Sequence, residues 1–268
     1  MFNRHRQSNC IFFAERGWNV VATMRTSTLD TNLGHRDGIL ITRLDVQDRE
    51  SIYQAIDDGI ARFGKIDALI NNAGFSLFGI FEAIPRGKVL EQFDVNVFGV
   101  MEVTRAILPH FKKKGGGLII NISSRAGLIG LPMLSLYCAA KFALEGFSES
   151  LAYELASQNI IIKIVEPSGG VTSTNFSERM GKEKAQSASI TDYDVFVGRM
   201  NAMFAGMQAE RKTSADDVAE VIYGAATDGS DRLRYFVGED VGGLVQAKRA
   251  MSDQGYIEFV KSLFLPKS

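Results

Sequence analysis

Tyr137 and Lys141 lie four residues apart in "YCAAKFALEGFSESLAYEL", a stretch that reads as helix. That spacing puts a phenol and an ammonium on one helix face. An ammonium beside a phenol favours phenolate and draws the tyrosine pKa down from about 10 toward neutrality. A tyrosine so tuned can give or take a proton at a carbonyl or alcohol oxygen. Taken alone, the pair is as ordinary as any Tyr and Lys on an amphipathic helix. Three further stretches add to it. "NISSRAG" places Ser123 and Ser124 at the end of an apolar run from Gly117. A hydroxyl there can bond a reacting oxygen and steady its charge, although Ser is also common turn chemistry. "NNAG" (71–74) ends another apolar run, and Gly74 lets backbone approach a ligand closely. Asn96 stands in the apolar "FDVNVFG", where a buried amide needs partners and could tie down a kink or a water.

These residues need a frame that brings them to one edge. Short β-branched runs fall at Asn19–Met24, Ile39–Leu44, Ala68–Asn71, Gly117–Ile122, Ile160–Val165 and Arg234–Val237. Runs such as "LIINI" and "IIIKIV" are apolar throughout, as parallel strands covered on both faces are. Helical patterns lie between them, near 48–63, 87–113, 135–157 and 214–227, with a last one in 240–265. Regular β-α-β alternation predicts an α/β fold with a doubly wound parallel sheet. In such sheets ligands bind beyond the carboxyl ends of the strands, where Arg25, Asp45, Asn71–Gly74, Ser123–Ser124 and Pro167–Thr172 fall. No repeat or linker divides the chain, so 1–268 reads as one domain. Residues 172–212, polar with scattered aromatics and no strong period, break this rhythm.

Composition excludes several classes. A formal charge of −1 gives no general pull toward nucleic acid or anionic membrane. "KKK" at 112–114 reads as a solvated helix end. No apolar run is long enough to span a membrane, and two cysteines make no disulfide framework. The chain reads as cytoplasmic, without a metal site.

Together with "LDVQD" (44–48), "NVFG" (96–99) and "EPSGGVTST" (166–174), these stretches resemble the short-chain dehydrogenase/reductase family in its single-domain, Rossmann-like form. The pattern is most similar to the hydroxysteroid and retinol branch. The resemblance implies roles, residue by residue. Tyr137 would be the general acid/base. Lys141 would tune it and hold the nicotinamide ribose. Ser124 would hold the substrate oxygen, and Asn96 would anchor a relay water. Asn72, Ala73 and Gly74 would line the adenosine side, with Asp45 and Val46 at the adenine. Pro167, Gly169, Gly170 and Thr172 would cover the nicotinamide. Family members preferring NAD carry an acid after the second strand. Here Met24 is followed by Arg25, which suits a 2′-phosphate, so NADP is expected over NAD. The expected substrate is a carbonyl or alcohol of apolar character. The apolar residues expected near the site are Phe75, Leu77, Phe78, Leu131, Met133 and Met180, and the resemblance implies a substrate lid over about 172–212 that carries Phe176, Tyr193 and Phe196. Pairing of the two long helices implies a homodimer or homotetramer.

Two departures accompany the resemblance. Ser168 intervenes where the family reads Pro-Gly, so Thr174 competes with Thr172 for the cofactor contact. The larger one is at the start. The family opens with a strand and a glycine-rich turn, and this chain has no glycine before Gly17. A sheet lacking its first strand is therefore expected, through truncation or through loss of nucleotide binding in a non-catalytic relative acting as a binding or scaffold protein.

Overall fold

The computed structural model describes residues 4–25, 33, 36–168, 190–209, 213–240 and 243–265; for 4–7 and 207–209 it describes the backbone alone. Each apolar run becomes a parallel strand. β1 (Val20–Met24) pairs with β2 (Ile39–Arg43), Val20 opposite Ile39. A second sheet has the order β3 (Ala68–Asn71), β4 (Gly117–Ile122), β5 (Ile160–Pro167), β6 (Arg234–Val237). Ile120 of β4 faces Ile70 of β3 and Lys163 of β5.

Alternation along β4 shows why the runs are apolar throughout. Ile120 and Ile122 pack with Phe13 of α1 (Arg4–Ala14) and with residues 218, 222 and 225 of a later helix. Ile119 points the other way, to Ile107 and Phe111 of α4 (Gly99–Lys114) and Leu151 and Leu155 of α5 (Ser135–Ala156). Between α1 and α4 come α2 (Arg49–Phe63) and α3 (Arg86–Phe93). Asp48 caps α2 by accepting from Ser51 N, and Gly64 ends it with φ of 81°. Both faces of the sheet are covered, as the fold class requires.

After α5 the chain forms α6 (Asp194–Ala209), α7 (Ala215–Thr227), α8 (Leu244–Ala250) and α9 (Asp253–Phe264). α6 falls inside the stretch expected to be irregular. The last helical pattern, read as one, is two helices, because Ser252 Oγ accepts from Gly255 N and caps a new start. Expectations for Gly169, Gly170, Thr172, Thr174, Phe176 and Met180 lie outside the described residues.

The two sheets do not join. Among the described residues no strand lies between β1 and β3, and residues 4–14 are helical. Val20–Arg25 on one side and Ala68–Asn71 on the other border a cavity of about 970 Å³. Among the described residues the parallel array is thus split between β1 and β3.

Candidate active site

α5 carries Tyr137 and Lys141 on successive turns, both buried. Ser124 follows β4 and caps the short 3₁₀ turn Arg125–Gly127 by accepting from Ala126 N at 3.2 Å. Its hydroxyl also hydrogen-bonds the Tyr137 phenol. Lys141 Nζ donates to Ile122 O at 2.8 Å and stands 5.8 Å from the centre of the Tyr137 ring. A strand end and a helix start therefore hold the three side chains together.

The electrostatics correct one expectation. Burial pushes the Tyr137 phenol up to about 12, against the downward pull of the Ser124 bond, with Cys138 adding to the rise. Lys141 is held down to about 8 by burial, with Glu145 opposing. A desolvated lysine is a weak source of positive potential, so the expected lowering of the tyrosine is not seen in this structure.

Asn96 is fully buried and sits in a π-helical turn over Asp94–Phe98 between α3 and α4. Its Oδ1 accepts from Phe75 N at 3.0 Å and its Nδ2 donates to Phe75 O at 2.7 Å. The side chain is thus committed to the loop after β3. Gln92, one helical turn earlier, completes the clamp: Nε2 donates to Phe75 O and Oε1 accepts from Leu77 N, each at 2.9 Å. Nothing in the sequence marked Gln92 apart from its i, i+4 relation to Asn96. A Cβ on Gly74 would stand 3.2 Å from Asn96 Oδ1 and 3.8 Å from Lys141 Nζ. Asn96, Gly74 and Lys141 therefore meet at one point.

The cavity between the sheets gathers part of the set expected at a cofactor, and Tyr137, Lys141 and Pro167 are not in its lining. Arg25, Asp45, Val46, Asn72, Ala73 and Gly74 all line it. Arg25 is exposed at the carboxyl end of β1. Asp45 Oδ1 is bonded to Gln47 N at 3.1 Å. Pro167 ends β5 at the same edge of the sheet. These residues fit the two ends of a dinucleotide: a polar rim at β1 and β2, and a buried ammonium beside Gly74. The turn that would carry the pyrophosphate between them is not found among the described residues.

Of the apolar residues expected near the site, Phe78, Leu131 and Met133 pack with Phe196 and Met200 of α6 and Phe264 of α9. Phe75 and Leu77 are instead core, against Leu136. A recess of about 430 Å³ opens beside the start of α5, lined by Gly79–Glu82, Met133, Ser135 and Tyr193. Tyr193 OH donates to Glu82 Oε2 at 3.1 Å across its rim.

The short chain dehydrogenase family model matches residues 7–185, and the chain belongs to that family. An uncharacterized oxidoreductase of Schizosaccharomyces pombe is 37% identical over 211 residues, 78% of this chain and 86% of that protein. Retinol dehydrogenase 8 of Bos taurus is 40% identical over 161 residues, 58% of this chain and 51% of that protein. Among solved structures, ElxO with NADP bound superposes with a TM-score of 0.71 at 26% identity, covering 88% of this chain and 93% of that one. The family and its Rossmann-like fold are thereby shown together.

Proposed function

We propose that this chain is an NAD(P)-dependent oxidoreductase that interconverts a hydroxyl and a carbonyl on an apolar small molecule. One observation carries the reading: Ser124, Tyr137 and Lys141 are buried together, and Lys141 stands beside Gly74, which lines the cavity that Arg25 and Asp45 also line. When bound, the nicotinamide supplies or accepts the hydride. The chain's own residues do the rest. Ser124 donates to the substrate oxygen, and Tyr137 gives it a proton in reduction or removes one in oxidation. Lys141 holds ribose hydroxyls and, once charged, favours the phenolate. Asn96 and Gln92 act by fixing the loop after β3. Apolar side chains at the recess, Met133 and Phe81 among them, favour a hydrophobic substrate, as does the name of the relative retinol dehydrogenase 8. Exposed Phe98, Phe142 and Tyr153 on the long helical segments favour association of two copies through α4 and α5.

Arg25 supports NADP as the cofactor. Titration of intrinsic fluorescence with NADPH and NADH tests this. Arg25→Ala should weaken NADPH alone, by about 1–3 kcal/mol; equal loss for both cofactors would reduce Arg25 to a surface residue. The split between β1 and β3 favours a second reading, a non-catalytic binding protein on the same fold. Absence of any NADPH or NADH signal at millimolar cofactor, in a folded protein, would select it.

A further inference from the structure

Tyr137, Lys141 and Glu145 occupy three successive turns on one buried face of α5. Ser123 and Arg234 both approach Glu145, although neither is aligned as a full hydrogen-bond donor to its oxygens. Arg234 Nη2 of β6 stands 3.3 Å from Glu145 Oε2, and its Nε stands 3.3 Å from Glu166 Oε1 of β5. Glu166 is fully buried, and its oxygens also have no aligned donor. Room for Glu145 is made by Gly127. A Cβ there would lie 2.8 Å from Glu145 Cγ and 3.0 Å from Ser123 Oγ. Gly127 belongs to the 3₁₀ turn capped by Ser124, so the carboxylate packs against the turn that carries the proposed substrate donor.

A pair that served Arg234 alone would need no buried carboxylate. Glu149, on the exposed end of the cluster, already meets Arg234 Nη2 at 2.7 Å. Burial raises both carboxyls above the ordinary range, so ionising Glu145 there is costly unless its charge is used. The groups facing Glu145 are Lys141 on its own helix, Ser123 after β4, Glu166 on β5 and Arg234 on β6, and Glu149 shares Arg234 with it. Arg125 and Arg249 act on Glu166 from behind. Glu145 is the only carboxylate acting on Lys141 among the described residues.

We propose that Glu145, held on its far side by Arg234 and Glu166, is a positioning residue that keeps the buried Lys141 ammonium charged and acts through it on Tyr137. The proposal rests on the reading of Tyr137 and Lys141 given above. The sign follows from charge. A nearby anion favours the ammonium, so removing it moves the lysine's titration to lower pH. Burial already brings Lys141 down to about 8, so a further fall makes it neutral near pH 7.

The test is the ionisation of Lys141 itself, followed by NMR in protein labelled at lysine Cε and assigned by the signal missing in Lys141→Met. Glu145→Gln is expected to lower the midpoint by about one pH unit. Glu145→Asp should lower it by a smaller step, and Glu149→Gln should leave it in place. An unmoved midpoint in folded Glu145→Gln overturns the proposal, and so does an equal shift in Glu149→Gln. Should Glu145→Gln fail to fold, Glu145→Asp carries the test, and an unmoved midpoint there overturns it as well. This readout needs no turnover. Failure of the underlying reading shows separately, as turnover that survives Tyr137→Phe.

Discussion

At Tyr137 two forces oppose each other. Burial holds the phenol neutral, and the Ser124 hydrogen bond pulls the other way; a charged Lys141 would add to that pull. Neutral Tyr137 suits proton donation to a carbonyl, and phenolate suits the reverse reaction. The same buried cluster sets a pH signature for stability. Burial raises Glu166 from 4.5 to about 8, with Glu145 adding to the rise and Arg234 opposing it. Between those values the folded state binds a proton that the unfolded state has released, so stability falls as pH rises from 4.5 to about 8. Glu166→Gln removes this loss. Thermal melts should show the variant matching wild type near pH 5 and exceeding it at pH 8; parallel curves would show that Glu166 is ionised throughout. Tyr137, Lys141, Ser124 and Asn96 were legible as residue types at fixed spacings. The Glu145–Arg234–Glu166 cluster was not, because its members come from three elements that meet only in the fold.

At the scale of elements, the strands were readable because a parallel strand buried on both faces has no polar alternation to blur it. β3, β4 and β6 fall where the apolar runs do, and Gly64 and Asp48 mark the ends of α2. α6 escaped because its apolar side chains surround it: Met200 is core while Val195, five residues earlier, is exposed. The π-helical turn at Asp94–Phe98 left only a trace, a single Asn in an apolar run. That turn is an element with one task, to aim Asn96 at Phe75. Asn96→Ala deletes two buried hydrogen bonds and leaves Phe75 N without its acceptor. It should cost about 1–3 kcal/mol in urea unfolding and loosen the Gly74 loop beside Lys141. Unfolding unchanged from wild type would mean that Gln92 alone holds the loop.

For the whole molecule, the decisive feature is the split array. β1 and β3 each present an edge of backbone donors and acceptors with no neighbouring strand among the described residues. Such edges are costly when buried and open to pairing when exposed. The cavity between them runs on to Arg25, Asp45 and Gly74, so a strand seated there would border both edges and the proposed cofactor residues at once. Fusing an apolar strand and a Thr-Gly-x-x-x-Gly-x-Gly turn ahead of α1 should raise both the melting temperature and NADPH affinity. If neither changes, the cavity is no strand site, and phosphate is held by some other part of the molecule.

Reduction of an apolar ketone, followed by loss of NADPH absorbance in that strand-extended form, tests the central claim most directly when wild type is set beside Tyr137→Phe. If Tyr137 is the proton donor, the variant loses at least about 100-fold in kcat while its NADPH Kd stays within a few-fold of wild type. A Tyr137→Phe enzyme that still turns over at a substantial fraction of the wild-type rate would contradict the account.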